Sequence, residues 1–198
     1  MEQVFTLKPN YIFEGNVNFN FSREHISFPG TPQLINNINK IERKYVYKYT
    51  NLTKSNENYI LNFFVDRRAK HKNFWLPVWK NTYELLQSIS PSETEIRIKN
   101  CLLSSMYNQY EYVYFEMKNG DFFYYQINTV DYISETEELI NIFNSITDEI
   151  NINLIKYFGK LLLVRFDFNE LEFTFTTNTI SEVSLNFVEL PNEYYPED

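Results

Sequence analysis

The chain has 198 residues, which is enough for one domain with a substantial core or for two small domains. Hydrophobic residues make up 43% of it and charged residues 22%, a balance that is typical of folded proteins and excludes an intrinsically disordered chain. The net charge of -8 argues against tight binding to a nucleic-acid backbone, because such binding requires clustered Lys and Arg.

A few residue types narrow the possible chemistry. Aromatic residues make up 18% of the chain, and their side chains favour β-strands. Cys101 is the single cysteine, so an internal disulfide is excluded, and we expect a buried, unreactive thiol. His25 and His71 show no metal-ligand spacing, so we expect no metal and no cofactor. The sequence has no signal-peptide layout and no apolar run of membrane-spanning length, so we expect no membrane anchor.

The first 40 residues predict an amino-terminal arm or a set of short strands. Apolar residues alternate with Asn over residues 17–21, which indicates an extended strand, and Pro29-Gly30 predicts a turn. The predicted organisation is an arm or short strands at residues 1–40, a β-rich domain at 41–192 and an acidic, frayed tail at 193–198.

A helix is predicted directly after a Tyr-rich strand at residues 41–50. Thr53 or Ser55 could provide its N-cap, and the helix should end near Arg67 and Arg68, where cations favour its carbonyl end. We expect its apolar stripe to be buried against a sheet. The stripe consists of Tyr59, Ile60, Leu61, Phe63, Phe64 and Val65, with Phe63 and Phe64 expected among the least exposed residues.

From residue 82 onward the sequence predicts β-strands joined by short turns. Strands are expected at residues 83–89, 95–98, 110–118, 121–130, 162–168, 171–175 and 183–187. Asn119-Gly120 gives the strongest hairpin signal, whereas Leu139 to Phe143 fits either a strand or a helical turn. Clean alternation of apolar residues indicates antiparallel sheets with one buried face. The elements together predict a mainly β (α+β) fold, in which antiparallel sheets form a sandwich or a split barrel and one principal helix packs on it.

The segment from Arg67 to Lys80 contains six basic residues and both tryptophans of the chain. Its cations could contact nucleic acid, but cations at a helix end that precedes a buried aromatic segment are the more frequent arrangement. Trp75 and Trp79 flank Pro77 and could form a sugar-binding platform, although core packing or a subunit contact is more common. Because no acid/base pair, Gly-rich phosphate loop or nucleophile elbow stands out, we expect no enzyme.

The order of helix, basic turn and Phe-Trp segment resembles a family of bacteriophage minor tail proteins. The sequence FFVDRRAKHKNFWLPVWKN at residues 63–81 carries the resemblance, because members of the family place a basic turn before F-W-L-P-x-W and a short strand. Ala69 stands where the family usually has glycine, and the first 40 residues match nothing in the family. The family's central hairpin and closing strands resemble residues 118–121, 165–167, 171–173 and 183–190.

The resemblance implies a non-enzymatic structural protein of the virion, of the distal tail (tail-tip) type and with a fold like that of tail-tube proteins. Such a protein forms a homo-oligomeric ring that joins the tail tube or neck to tail-tip or hub components and contacts other phage tail proteins. DNA would pass through its channel without specific binding, and assembly would take place in the host cytoplasm. Alternative functions are a carbohydrate-binding module that uses Trp75 and Trp79, and a hydrolase associated with host entry. The residues expected in the core or in assembly contacts are Phe63, Phe64, Arg67, Arg68, Phe74, Trp75, Pro77 and Trp79.

Overall fold

The computed structural model describes residues 3–28, 31–107, 111–177 and 180–190, with the backbone alone for 13–28 and 31–42. The strands are β1 (Tyr11–Phe28), β2 (Thr31–Leu52), β3 (Phe74–Pro77), β4 (Glu95–Lys99), β5 (Tyr112–Met117), β6 (Phe122–Ser134), β7 (Glu137–Ile142), β8 (Ile155–Phe166), β9 (Thr174–Phe175) and β10 (Ser181–Glu189). The helices are α1 (Lys54–Asp66) and α2 (Leu103–Met106), and 3₁₀ turns lie at Ala69–His71 and Ile152–Leu154. The predicted mainly β fold with antiparallel strands and one principal helix is confirmed.

The described chain divides into two compact units. Unit 1 consists of residues 3–6 and of Trp75–Leu162, and unit 2 consists of Leu7–Phe74 and of residues 163–190. The division falls inside β8, so this strand contributes residues to both units.

Unit 2 is built on the antiparallel hairpin of β1 and β2. The register of this hairpin places Tyr11 opposite Lys48 and Phe28 opposite Thr31. β10 pairs with β2 only at residues 44–52, and the carboxyl end of β8 pairs with β10. Beyond that point β1 and β2 pair only with each other among the described strands. We call this stretch, residues 17–28 and 31–43, the arm; the domain boundary predicted between residues 40 and 41 falls inside it.

Helix α1 begins after Thr53, whose side-chain oxygen accepts a hydrogen bond from the N–H of Asn56, and it ends at Asp66. The prediction is therefore correct to within one residue at each end. Its buried residues are Glu57, Ile60, Phe63 and Phe64. Leu61 and Val65 are 46% and 62% exposed, so the apolar stripe is narrower than predicted. These two residues lie four positions apart and share a different side of the helix from the buried ones.

Unit 1 contains an antiparallel succession of strands in the order β8, β5, β6, β7 and β4. The predicted hairpin turn at Asn119-Gly120 is confirmed: Gly120 has a φ angle of 97°, and its N–H donates to the carbonyl of Met117 at 3.0 Å. β5 is buried along its whole length. The core on one side of it includes Tyr83, Leu85, Ile89, Ile96, Ile98, Val113, Phe115, Ile127, Ile140 and Phe158.

Two predicted strands are wrong. Residues 83–89 make isolated bridges, from Leu85 to β4 and from Ile89 to a loop residue, so no continuous ladder develops. Of the strand predicted at residues 171–175 only the short β9 remains, where Thr174 and Phe175 pair with Glu182 and Ser181 of β10. The segment that fitted either a strand or a helical turn is the strand β7. The predicted turn at Pro29-Gly30 and the predicted tail at residues 193–198 lie outside the described residues.

Candidate functional site

The first cation after helix α1 is an internal residue. The Arg67 side chain is only 7% exposed, and its Nη1 donates a hydrogen bond to the carbonyl of Asn73 at 3.3 Å. Its guanidinium carbon lies 6.0 Å from the centroid of the Phe63 ring, which is within the range of a cation–π contact. Arg67 therefore holds the end of α1 against the segment that leads into β3, and it is not available to a ligand.

The turn that follows is strained and exposes its cations. Arg68 and Ala69 both have left-handed backbone conformations, with φ angles of 50° and 55°. This conformation costs a residue that carries a Cβ about 1–2 kcal/mol, whereas glycine adopts it freely. The side chains of Arg68, Lys70 and His71 are exposed. The basic turn therefore keeps the backbone geometry that suits glycine, although Ala69 occupies the position.

The Phe residues before and after the turn form an aromatic cluster in unit 2. Phe74 is fully buried, and its ring centroid lies 5.0 Å from that of Phe63 and 4.8 Å from that of Phe166. Phe64 packs against Phe166 at 5.2 Å and stacks on Phe168 at 5.3 Å. Phe63 and Phe64 are each 9% exposed, so both are buried as predicted, but they are not among the least exposed residues.

Trp75 and Trp79 are buried in unit 1, at 4% and 6% exposure. The Trp75 ring lies 4.6 Å from the ring of Tyr112. The backbone N–H of Trp75 donates to the carbonyl of Gln3, and the N–H of Phe5 donates to the carbonyl of Trp75. The Trp79 ring lies 6.1 Å from Tyr114 and 6.2 Å from Phe122. Neither ring presents a face to solvent, which a sugar-stacking platform requires.

The chain that leaves Trp79 passes directly over β8. A Cβ atom added to Gly159 would lie 2.7 Å from the carbonyl oxygen of Lys80, so only glycine fits at this crossing. The phenol of Tyr114 lies beneath the same segment. Burial raises the pKa of Tyr114, against the opposing effect of the N–H groups of Trp79 and Lys80. Tyr114 therefore remains a neutral phenol at physiological pH and has no role as a base.

Unit 1 also contains a buried carboxylate that was not among the predicted site residues. Glu138 of β7 is fully buried. One carboxylate oxygen accepts hydrogen bonds from the N–H groups of Cys101 and Leu103, at 3.0 and 3.1 Å. The other accepts from the N–H and the hydroxyl of Ser104, at 2.9 and 2.7 Å. Burial acts to raise the pKa of Glu138, but these hydrogen bonds outweigh it and lower the pKa to about 2.

We call this arrangement the Glu138 clasp, because it fastens the loop before α2 to β7. The signal for it is present in the sequence: Glu138 precedes Ile140 and Ile142 in the buried phase of the strand, where an apolar residue is the norm. The clasp also explains an incorrect expectation. Cys101 is exposed rather than buried, because its N–H is held by Glu138 while Leu103 takes the inward position.

Unit 2 contains a buried carboxylate of its own. Glu57 in the first turn of α1 accepts hydrogen bonds from Lys54 and from the hydroxyl of Ser181 on β10. The bond from Lys54 is the main cause, followed by that from Ser181, of a pKa of Glu57 below its ordinary value. The pair joins the start of α1 to β10, so its role is to position the helix.

The described residues offer little to catalysis. No three His, Cys, Asp or Glu side chains among them meet closely enough to hold a metal ion. A cleft of about 420 Å³ is lined by Met117, Asn119, Asp121, Phe123, Asp148, Glu149 and Leu154. Asn119 donates to Asp121 at 2.6 Å and Thr147 donates to Asp148 at 2.9 Å, so two of its carboxylates are bound by their neighbours. This lining contains neither a histidine nor a cysteine that a carboxylate could activate.

The structure separates the predicted residues into two groups. Phe63, Phe64, Arg67, Arg68 and Phe74 belong to unit 2, whereas Trp75, Pro77 and Trp79 belong to unit 1. All of them except Arg68 are buried. The conspicuous aromatic residues of the sequence are therefore core residues of their units, and Arg68 is the one member of the set that a partner could reach.

None of the helices in the described ranges is both long and apolar enough to cross a membrane. No protein-family model matches the chain, and no curated protein matches it either. The similarity of residues 63–81 to phage minor tail proteins therefore remains a resemblance.

Proposed function

We propose that the protein is a structural component of a bacteriophage tail. In this proposal it forms a ring around the DNA channel and joins the tail tube or neck to tail-tip or hub components. The observation that carries the proposal is the arm, because its two long strands have no further partner strand among the described residues. Such a hairpin is a feature that assembly can use and an isolated domain cannot.

The register of the arm places apolar residues opposite one another. Phe19 lies opposite Ile41, and Phe21 lies opposite Ile38. A two-stranded hairpin is at best marginally stable in water unless a third strand or another surface covers it. Cross-strand pairs of this type contribute only about 0.2–1 kcal/mol each. A neighbouring protein that covers the arm would supply the missing stability, as expected for a subunit of a larger assembly.

The segment at residues 63–81 supports the same proposal by the order of its elements and by its burial. Its helix, basic turn and buried Phe-Trp stretch follow the order of the resembled tail proteins and serve the cores of both units. The net charge of -8 suits a channel through which DNA slides, because like charges prevent adhesion. The alternative of a carbohydrate-binding module has no exposed tryptophan to support it, and for a hydrolase the cleft that holds Asp121, Asp148 and Glu149 has no histidine or cysteine in its lining.

Imaging of purified virions tests the proposal. The expected result is density for this chain as a rotationally symmetric collar at the tail, together with its detection by mass spectrometry of the same particles. Absence of the chain from purified virions would refute the proposal, and so would a single peripheral copy.

A shortened arm tests the observation on which the proposal depends. In this variant residues 18–42 are replaced by Asn-Gly, which joins the opposite residues Val17 and Arg43 by a two-residue hairpin turn. The shortened chain should still fold, because the pairing of β2 with β10 at residues 44–52 is untouched. It should fail to enter virions when it replaces the full chain. Incorporation at the normal copy number would contradict the role of the arm.

A further inference from the structure

We propose that two surfaces of this chain, one on unit 1 and one on unit 2, bind each other between neighbouring copies. The first is an apolar surface with acidic residues at its rim, and the second is an apolar helix side followed by cations. The inference rests on the ring of the proposed function and adds to it the residues that make the contact.

The surface on unit 1 lies where α2 meets the β6–β7 hairpin, and we call it the tip. Its four large apolar side chains are between 49% and 63% exposed. They are Leu102, Met106, Tyr132 and Ile133. Large apolar side chains that are exposed singly need no explanation, but several of them on elements held together by hydrogen bonds are a candidate interaction site.

Hydrogen bonds hold the two halves of the tip together. The side chain of Asn100 donates to the carbonyl of Ser134 at 2.9 Å, and its N–H donates to the carbonyl of Thr136 at 3.0 Å. Tyr107 at the end of α2 donates to the carbonyl of Ile127 on β6 at 2.9 Å. The loop that carries Leu102 is therefore fixed beside the end of β6, and the Glu138 clasp fixes it further.

The rim of the tip is acidic. Asp131 precedes Tyr132 on β6, and its carboxylate accepts a hydrogen bond from the side chain of Asn141 at 2.7 Å. Glu135 lies in the turn between β6 and β7, and both acidic side chains are exposed. Glu137 follows, but Arg97 binds it at 2.7 Å. The exposed charge next to the apolar side chains is thus negative, and a partner must offer apolar side chains accompanied by cations.

Unit 2 offers this chemistry at the end of α1. Leu61 and Val65 lie one helical turn apart on the exposed side of the helix, at 46% and 62% exposure. The exposed cations Arg68 and Lys70 follow directly in the basic turn. In a chain with a net charge of -8, this turn is a local concentration of positive charge. We call this surface the helix end.

Both the tip and the helix end are apolar, and their charges are opposite. We therefore infer that the partner of the tip is the helix end of a second copy of the chain. Because the two surfaces consist of different residues, the contact is head-to-tail. A head-to-tail contact leaves one tip and one helix end free at each step, so it continues until a ring closes or a filament grows. The rim pairs would fix the register of the contact and would weaken as salt increases.

Reciprocal charge reversal in the purified full chain tests the inference. The tip variant carries Asp131→Lys and Glu135→Lys, and the helix-end variant carries Arg68→Glu and Lys70→Glu. Sedimentation velocity should show self-association of the wild-type chain and about a tenfold weakening in either variant alone. An equimolar mixture of the two variants should assemble again, because both contacts between unlike copies pair opposite charges: the reversed tip meets the reversed helix end, and the unchanged tip meets the unchanged helix end. Circular dichroism of each variant verifies that it is folded.

A matched control shows that position and not net charge matters. Glu93→Lys with Glu149→Lys reverses two exposed carboxylates of unit 1 that lie away from the tip. This control should self-associate like the wild-type chain, and its tip, which is still negative, should not bind the reversed helix end of the helix-end variant. A wild-type chain that stays monomeric at about 100 μM, roughly the weak limit of specific complexes, overturns the inference, as does a tip variant that associates normally.

The outcome is separable from that of the proposed function. Self-association through the two surfaces in a protein that is absent from virions would keep the interface and remove the tail function. A collar in virions that retains its copy number with the tip variant would keep the tail function and remove the interface.

Discussion

Two hairpin regions of the molecule differ in the strands that surround them. In the β5–β6 hairpin of unit 1, β5 has β6 on one side and β8 on the other, and every one of its residues is buried. The arm of unit 2 is longer, but its two strands pair only with each other among the described strands. Both contain aromatic and β-branched residues, although the arm has fewer aromatic residues and more Asn and charged residues than the β5–β6 hairpin. The presence of neighbouring strands decides which hairpin is part of a core and which one still needs a partner.

Replacing one Phe by Ala in each hairpin should give the largest difference between the two hairpins, measured as the loss in the free energy of unfolding. Phe115 on β5 is fully buried and stacks on Phe158 with ring centroids 4.3 Å apart. Phe115→Ala should lower the free energy of unfolding by about 3–5 kcal/mol, because it removes buried area and leaves a cavity. Phe19→Ala in the arm should cost the isolated protein less than about 1 kcal/mol, the range of a single cross-strand pair. Urea unfolding at equilibrium measures both values.

Hydrogen exchange sharpens the same comparison without a mutation. Amides of β5 should exchange only through global unfolding, whereas amides of the arm should exchange through local opening of much lower free energy. Equal costs for the two Phe substitutions, together with equal protection, would mean that the arm is an integral part of the folded unit.

The Glu138 clasp gives unit 1 a pH dependence. The pKa of Glu138 is about 2 in the folded protein, below its ordinary value of 4.5. The carboxylate therefore stabilises the folded state fully above about pH 4.5, and this contribution is lost as the pH falls towards 2. Glu138→Gln should lower the free energy of unfolding at pH 7 by about 2–3 kcal/mol, because buried N–H groups lose their charged acceptor.

The difference in stability between Glu138→Gln and the wild-type chain should shrink as the pH is lowered from 5 to about 2, in urea titrations at each pH. Ser104→Ala removes only the hydroxyl donor and should have a smaller effect in the same direction. A difference that stays constant over this range would show that the clasp does not depend on the charge of Glu138.

The sequence predicted those features whose cause is local. The N-cap at Thr53 and the apolar spacing that follows it specify α1 to within a residue, because a helix is built from neighbours in the chain. Asn119-Gly120 specifies its hairpin for the same reason, since the turn requires a residue with positive φ. The mainly β class follows from the alternation of apolar and polar residues along the strands, which a few neighbouring residues are enough to reveal.

Features that depend on distant residues were missed. Glu138 is separated by 34 to 37 positions from the groups that it binds, and no period in the sequence connects them. Residues 83–89 alternate like a strand, but their partners lie in two different segments, so only isolated bridges form. For Trp75 and Trp79 the sequence favoured core packing or a subunit contact over a sugar-binding platform, but it did not identify Tyr112 and Tyr114 on the distant strand β5 as the residues that pack against them. Burial is a tertiary property, and composition alone does not specify it.

The smallest predicted effects concern two turns with positive φ angles, one in each unit. Gly120 of the β5–β6 hairpin has a φ angle of 97°, and Ala69 of the basic turn has a φ angle of 55°. A Cβ added to Gly120 would meet nothing within 4 Å, so Gly120→Ala tests backbone conformation alone and should destabilise by about 1 kcal/mol. Ala69→Gly should stabilise by up to about 1 kcal/mol, because glycine relieves the left-handed strain but increases the entropy of the unfolded chain. Ser55→Gly in the first turn of α1 is the matched control and should destabilise slightly. Urea unfolding of the three variants checks the signs, and a destabilised Ala69→Gly would mean that the basic turn carries no strain.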